Sequence, residues 1–237
     1  MKYMGSKNRI SKYILPIILK DRNNKTYIEP FVGGCNVIDK VGYSRIGSDN
    51  NKYLIAMWKG LQRNKKRPYY ISKELYSKAR KEYNNNTNNE FDDFLIGWIG
   101  WMGSYNGRFF DGGYSGHNVG KTHRNYILEQ IKNTEKQINK IKDILFIHSD
   151  YKELEIPNNS IIYCDIPYKN TKQYSTSKKF DYNTFYKWCE KMSSLGHIVY
   201  ISEYDMPDNF KCVWEKEITN SMNTINTYKP TEKLFTL

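Results

Sequence analysis

YIEPFVGGCNV, residues 27–37, is the stretch whose reading decides the fold. Tyr27–Ile28 is short and apolar, and an acid and two glycines follow it. This reads as a buried strand ending in a tight turn, with a helix expected from about Val37. Gly33 and Gly34 carry no Cβ, so the backbone there can approach a small ligand closely. Outward from this point, Ser44–Gly47 leading into Asp49 reads as a second short strand. LFIH (145–148), IIYC (161–164) and HIVYIS (197–202) read as three more. Helices are predicted over 51–64, 72–83, 124–143 and 181–193. The third rests on Ile127, Ile131, Thr134, Ile138, Ile141 and Leu145 at three- and four-residue spacing. The last segment, 210–237, reads as strands with a hairpin. Strands alternating with helices predict an α/β fold around a mostly parallel sheet. Ligands of such a sheet sit at the carboxyl ends of its strands, where Glu29, Asp49, Asp150 and Asp165 fall.

A basic, glycine-rich and aromatic block from about 52 to 143 interrupts the alternation. Its first part, residues 51–90, holds ten lysines and arginines against three glutamates, in a chain of net charge +12. Clustered positive charge points to a phosphate-bearing partner, nucleic acid first. Residues 97–120 contain eight glycines among Trp, Tyr, Phe and Asn, and are expected to form hairpins and irregular loops instead of a core helix. Trp58, Trp98, Trp101 and Trp188 are expected in the core. The four cysteines are widely spaced, so neither a disulfide framework nor a zinc site follows. His117 and His123 lack ligand-spaced partners. Gly120-Lys121-Thr122 lacks the glycine at 115 that a P-loop needs. MKYMGSKNRI has no apolar signal region, and Tyr13–Leu19, which contains Pro16, is too short to span a bilayer.

The sharpest short motif is Asp165-Ile166-Pro167-Tyr168, at the end of IIYC. An acid at a strand end beside a proline-stiffened turn offers carboxylate and carbonyl acceptors in fixed directions, and Tyr168 offers a face for a planar ring. An exocyclic amine on a base needs this combination: acceptors for both its N–H groups and a platform for its ring.

With these motifs in place, the chain resembles the Dam-type (alpha-class) DNA adenine-N6 methyltransferases. YMGSK (Tyr3–Lys7) is similar to the family's N-terminal cofactor motif, EPFVGGCNV to its cofactor loop and DIPY to its DPPY motif. SYNGRFF (104–110) is similar to a stretch of its DNA-reading hairpin. The resemblance extends to SDNN around Asp49, SDY around Asp150 and the C-terminal TEKLF, so it covers nearly the whole chain. There are two departures: Cys35 stands for a glycine and Ile166 for a proline, although Ile166 keeps the carbonyl that the family uses.

The resemblance implies a Rossmann-like domain binding S-adenosylmethionine, made of residues 1–51 and 144–237. It also implies a largely helical DNA-recognition insertion, 52–143, containing a hairpin. The implied cofactor residues are Tyr3, Gly5, Lys7, Glu29, Pro30, Phe31, Gly33, Gly34, Cys35, Asp49, Asp150 and Asp165. Asp165, Ile166, Pro167 and Tyr168 would be catalytic, acting on an adenine extruded from duplex DNA. Lys65, Lys66, Arg67, Tyr105, Asn106 and Arg108 would contact the DNA. No metal is implied. A monomer or weak dimer in bacterial or phage-infected cytoplasm, serving restriction-modification, completes the expectation. Two alternatives are an inert DNA-binding protein and an RNA adenine methyltransferase.

Overall fold

The computed structural model describes residues 1–118, 120, 123–169, 180–217 and 231–237. Seven strands form one sheet: β1 (Tyr27–Glu29), β2 (Arg45–Asp49), β3 (Ile144–His148), β4 (Ile161–Asp165), β5 (Ile198–Glu203), β6 (Lys211–Glu217) and β7 (Thr231–Thr236). Their order is β3-β2-β1-β4-β5-β7-β6, with only β7 antiparallel to its two neighbours. The mixed α/β architecture expected from the alternation is therefore present. The order of connection reverses between β1 and β4, which pair side by side through Tyr27↔Ile161 and Ile28↔Ile162. A crevice opens at such a switch point, and Glu29 and Asp165 stand at its two lips.

Burial follows position in the sheet. All three residues of β1 are buried, as are the first four of β2 and of β4. Parallel strands covered on both faces require such continuous apolar runs. The outermost strand, β6, is instead largely exposed and carries Lys211, Glu215, Lys216 and Glu217, charges that discourage edge-to-edge pairing.

Six helices accompany the sheet: α1 (Ser11–Ile18), α2 (Lys52–Gln62), α3 (Lys73–Asn85), α4 (Asp93–Gly103), α5 (Tyr126–Ile141) and α6 (Tyr182–Ser194). Asn51, Ser72, Asp92, Asn125 and Asp181 cap α2 to α6, each accepting from N–H groups of the first turn. Helix α2 leans on the sheet, with Trp58 stacked on Phe146 of β3 at 6.2 Å. On the far side of α2, α3 and α4 pack together around Trp98, Trp101, Tyr76, Phe109 and Phe110. One apolar cluster runs through both regions.

Three expectations need correction. Residues 97–103 are not loop: they are the second half of α4, and Trp98 and Trp101 are buried in it. Glycine serves close packing there, because a Cβ on Gly97 would lie 2.2 Å from the Tyr53 carbonyl oxygen and one on Gly100 2.3 Å from the Phe109 ring. After the cofactor-like loop there is only a 3-10 turn, Ile38–Lys40, where a helix from about Val37 was expected. Helix α1 was not anticipated, since Pro16 interrupts its pattern, yet Ile14, Leu15 and Ile18 are buried on it. The turn between β6 and β7 and the Lys121-Thr122 pair lie outside the described residues. Among the described residues, no helix is long and apolar enough to cross a membrane.

Candidate active site

Two groups of residues meet at the carboxyl ends of the central strands. The first is built on the glycine loop after β1. Val32 donates its N–H to the Ser48 carbonyl at 2.8 Å, so the loop folds over the end of β2. Gly33 takes φ +45° and Cys35 φ +54°, a backbone shape costly for any residue with a Cβ. Cys35 holds it in a fully buried position where the family pattern has glycine. Two helices pin this loop: Trp58 donates to the Gly33 carbonyl at 3.0 Å, and Gln137 to the Gly34 and Cys35 carbonyls at 3.2 and 3.1 Å. The Tyr3 ring covers it so closely that a Cβ on Gly33 would lie 2.8 Å from that ring.

Asp49 closes this group. Its carboxylate accepts from the N–H of Gly33 at 3.2 Å and of Asn51 at 3.0 Å, and Asn51 in turn caps α2. The SDNN stretch thus fixes an acid against the glycine loop by local geometry alone. Burial pushes the Asp49 carboxyl up to about 6, against the pull of those two N–H donors. Glu29, 4% exposed, accepts from the Tyr27 hydroxyl at 2.9 Å, and burial raises its carboxyl well above the usual range. Asp150 lies in the loop after β3, joined to the end of β2 through Ser149 N–H on the Asp49 carbonyl at 3.2 Å. Its own carboxylate accepts from Lys152 N–H at 2.9 Å.

The second group forms around DIPY. The Lys7 ammonium is buried 3.1 Å from Asp165 Oδ1 and 3.8 Å from Glu232 Oε2, and lies 4.2 Å from the centre of the Tyr168 ring. It also donates to the Gly5 carbonyl at 3.0 Å, which accounts for the glycine of YMGSK, held at φ +73°. Burial lifts the Asp165 carboxyl, and Lys7 pulls it back only in part. Tyr168 donates its hydroxyl to Glu232 at 2.6 Å and meets the Tyr204 ring edge-on at 4.6 Å. The Pro167 carbonyl accepts from the Tyr182 hydroxyl at 2.9 Å. The Ile166 side chain, 3% exposed, packs in the apolar cluster under α6 with Phe185 and Trp188. Isoleucine therefore has a packing role at this position that proline would fill less well. The ring of Phe31 joins the same side, 5.3 Å from Tyr151 and 5.9 Å from Phe185, and Pro30 is buried beside it.

The structure thus brings together Tyr3, Gly33, Gly34 and Asp49 in one group and Lys7, Asp165 and Tyr168 in the other. Glu232 and Glu203 were not picked out from the sequence. TEKLF marks the neighbourhood of Glu232, but an acid on a strand has no period or spacing that declares its partner.

The residues expected to meet DNA divide differently. Lys65 is ion-paired with Asp92, and the Arg67 guanidinium, 7% exposed, is turned onto Glu135 at 3.0 Å. Lys66 is exposed and, among the described residues, in no ion pair. A single antiparallel bridge, Ser104↔Tyr114, closes a loop at whose start Tyr105 is 47% exposed and Asn106 takes φ +54°. Phe109 and Phe110 of this loop are buried, Phe109 stacked on Trp101 at 4.0 Å. Arg108 is half-buried behind Tyr105. Gly107 sits so close to the N-terminal segment that a Cβ on it would lie 2.3 Å from the Lys2 carbonyl oxygen.

Comparison with known proteins follows the same lines. Residues 3–97 match the family model of the D12 class N6 adenine-specific DNA methyltransferases. The Type II methyltransferase M.MjaIII of Methanocaldococcus jannaschii is 27% identical over 217 residues, which is 77% of this chain and 74% of the relative. Among solved structures, SMU.472, described as a methyltransferase complexed with SAH, aligns with a TM-score of 0.42 and 12% identity. That alignment covers 99% of this chain but spans only about half, 53%, of the solved one.

Proposed function

We propose that the chain is an N6 adenine-specific DNA methyltransferase of the D12 class, whose family model it matches over residues 3–97, and that its residues methylate an adenine extruded from duplex DNA. The observation that carries the reading is the convergence of Lys7, Asp165 and Tyr168, from the N-terminus, the end of β4 and the turn after it, into one buried cluster beside the glycine loop.

The first group fits S-adenosylmethionine. Glycine at 33 and 34 lets the loop turn tightly beneath the Tyr3 ring, Asp49 faces the loop as a carboxylate acceptor for ribose hydroxyls, and Glu29 is buried at the crevice lip. When bound, the cofactor supplies the methyl group on a sulfonium. Tyr3, Gly5, Lys7, Glu29–Cys35, Asp49 and Asp150 would hold it. Asp165 and the Ile166 carbonyl accept the two N–H groups of the adenine amine, and Tyr168 gives its ring a stacking surface. Holding both hydrogens turns the nitrogen lone pair toward the methyl group. As the nitrogen took the methyl group, the methyl–sulfur bond would break, the neutral thioether would leave and the surplus amine proton would pass to solvent. Alignment of the two reactants contributes to the rate, as is general for oriented transfers.

The part that reads DNA lies between α2 and α5, within 52–143. Tyr105, Asn106 and Arg108 lie in the loop closed by the Ser104↔Tyr114 bridge, and Lys66, outside the ion pairs that hold Lys65 and Arg67, contacts a phosphate. Phosphate contacts of this kind position the duplex without choosing sequence. A duplex DNA partner, a bacterial or phage-infected cytoplasm and a monomer or weak dimer complete the proposal.

The test is Asp165→Ala. Methyl transfer to duplex DNA should fall about 10³-fold or more, with S-adenosylmethionine affinity held within a few-fold, because an acceptor used in the transition state is deleted. Near-normal turnover in that variant overturns the assignment. Transfer to RNA in preference to duplex DNA by the unaltered protein would favour the RNA enzyme instead. A chain that binds DNA but never transfers methyl is the inert binder.

A further inference from the structure

Glu232 is buried, 6% exposed, on β7, two residues from Leu234, which lies fully within the main apolar core. Successive side chains of a strand point to opposite faces, so Glu232 ends the inward row that Leu234 occupies deeper. Burying a carboxylate at the end of an apolar row is unfavourable unless it is paired and hydrogen-bonded. A straight apolar chain would complete that row without the penalty. The partners of Glu232 are both in the catalytic cluster. Its Oε2 accepts the Tyr168 hydroxyl at 2.6 Å, within the short range typical of charge-assisted bonds. The same oxygen lies 3.8 Å from the Lys7 ammonium.

A second carboxylate acts on the same turn from β5. Glu203, 1% exposed, accepts from the Lys169 N–H at 2.9 Å and the Tyr204 N–H at 2.7 Å. The Tyr204 ring then abuts Tyr168. The turn after DIPY is thus held from two strands, β5 and β7: its backbone by Glu203, its ring by Glu232.

We propose that Glu232 is a positioning residue for methyl transfer, fixing the plane of the Tyr168 ring through its hydroxyl and sharing the Lys7 ammonium with Asp165. This rests on the reading of Asp165 and Tyr168 as the adenine site. A ring tethered only at Cβ rotates, and a target base stacked on it rotates with it. The angle at the attacking nitrogen then drifts from the line of the sulfonium methyl. With Glu232 absent, Lys7 keeps Asp165 as its ion-pair partner among the described residues and draws it away from the amine. Glu232 touches neither reactant, so its effect belongs to turnover and not to cofactor binding.

The experiment measures kcat, the S-adenosylmethionine dissociation constant and thermal stability for Glu232→Met, Glu232→Gln, Tyr168→Phe and the Glu232→Met/Tyr168→Phe pair. Asp165→Ala serves as the control for the site itself. Glu232→Met should lower kcat about 30- to 100-fold. Glu232→Gln, which keeps a neutral acceptor, should lower it less, about 3- to 10-fold, and cofactor affinity should stay within threefold in both. In the Tyr168→Phe background, Glu232→Met should cost less than half, in log units, of what it costs alone. Wild-type kcat in Glu232→Met, multiplicative losses in the pair, or a cofactor-affinity loss that accounts for the rate loss each overturn the proposal. Should Glu232→Met fail to fold, Tyr168→Phe decides: it must lower kcat at least severalfold, and an unaltered rate overturns the proposal. If Asp165→Ala is as active as the parent chain, it is the adenine-site reading that fails.

Discussion

Glycine does opposite things in two regions of this molecule. At the strand ends, Gly33 and Gly34 sit beneath the Tyr3 ring with the Asp49 carboxylate bonded to the loop. In α4, Gly97, Gly100 and Gly103 are pressed against the Tyr53 carbonyl, the Phe109 ring and the Tyr76 ring. In both places a Cβ would collide. The first loop is surrounded by buried acids with raised proton affinity, whereas the second is surrounded by aromatic rings and backbone. Glycine therefore lets a loop turn tightly under an aromatic ring beside acids in one region and lets a helix close on its neighbours in the other. The chemistry of its neighbours, more than its own flexibility, tells the two apart.

The widest separation between the regions is expected from alanine. Gly97→Ala places a methyl 2.2 Å from a backbone oxygen of α2, which cannot rotate away. Its gain in helix propensity, about 1 kcal/mol, is outweighed by overpacking of about 3 kcal/mol. A net loss of about 2 kcal/mol should appear in denaturant unfolding, with cofactor affinity of the folded fraction unchanged. Gly34→Ala meets the Tyr3 side chain at 2.6 Å, on a segment that can shift. It should lower S-adenosylmethionine affinity about tenfold while changing stability less than Gly97→Ala does. The reverse pattern, stability lost at 34 and binding lost at 97, would break the distinction.

The same contrast explains what was readable in the sequence. The strand-end side was legible because its motifs lie in contiguous runs: EPFVGG, SDNN and DIPY each carry a turn and an acid at a strand end, and local geometry sets them. The mostly parallel α/β sheet followed from alternating strands and helices, whereas its strand order did not. Residues 97–103 misled because glycine density was read as looseness when it is tight packing. That reading needs α2 and the Phe109 ring in place before it can be made. Glu232 was invisible for a related reason. Its partners Lys7 and Tyr168 lie far away in sequence, and only the antiparallel return of β7 brings them together. Arg67 was counted among DNA contacts by its basic neighbours, though its guanidinium is engaged by Glu135 on α5.

A smaller effect should distinguish the two regions by pH. Burial raises the Asp49 carboxyl to about 6, so in the free protein it protonates over a range where an exposed aspartate stays charged. An acid with a raised folded pKa favours folding at low pH, and that contribution is lost as pH rises through about 6. Cofactor binding runs the other way: ribose hydroxyls need the charged acceptor. Affinity should therefore fall by up to about tenfold per pH unit below 6. Asp49→Asn should bind more weakly at pH 8 and show a flatter dependence between pH 5 and 6. An unchanged slope in that variant would take Asp49 out of the cofactor site.

The smallest expected effect lies on the outer face of the insertion, where charge is at the surface and screened. Lys65, Lys66 and Arg67 are consecutive and look equivalent in sequence, but Lys65 is held by Asp92 and Arg67 by Glu135. Lys66 alone of the three is exposed and outside any ion pair among the described residues. Lys66→Ala should reduce the salt dependence of duplex binding by roughly 0.9 in the log–log slope, the amount for one phosphate contact. It should weaken cognate and non-cognate DNA alike. Arg67→Ala should leave that slope unchanged and lower stability instead, since it leaves Glu135 with the Tyr69 hydroxyl but no cation and strips the packing over Trp98, whose ring lies 5.3 Å from the guanidinium. If Arg67→Ala flattens the slope as much as Lys66→Ala does, the guanidinium leaves Glu135 for phosphate when DNA arrives. In that case the ion pairs of the insertion are a resting arrangement that the duplex displaces, and the contrast with the fixed charges at the strand ends becomes one of mobility as well as position.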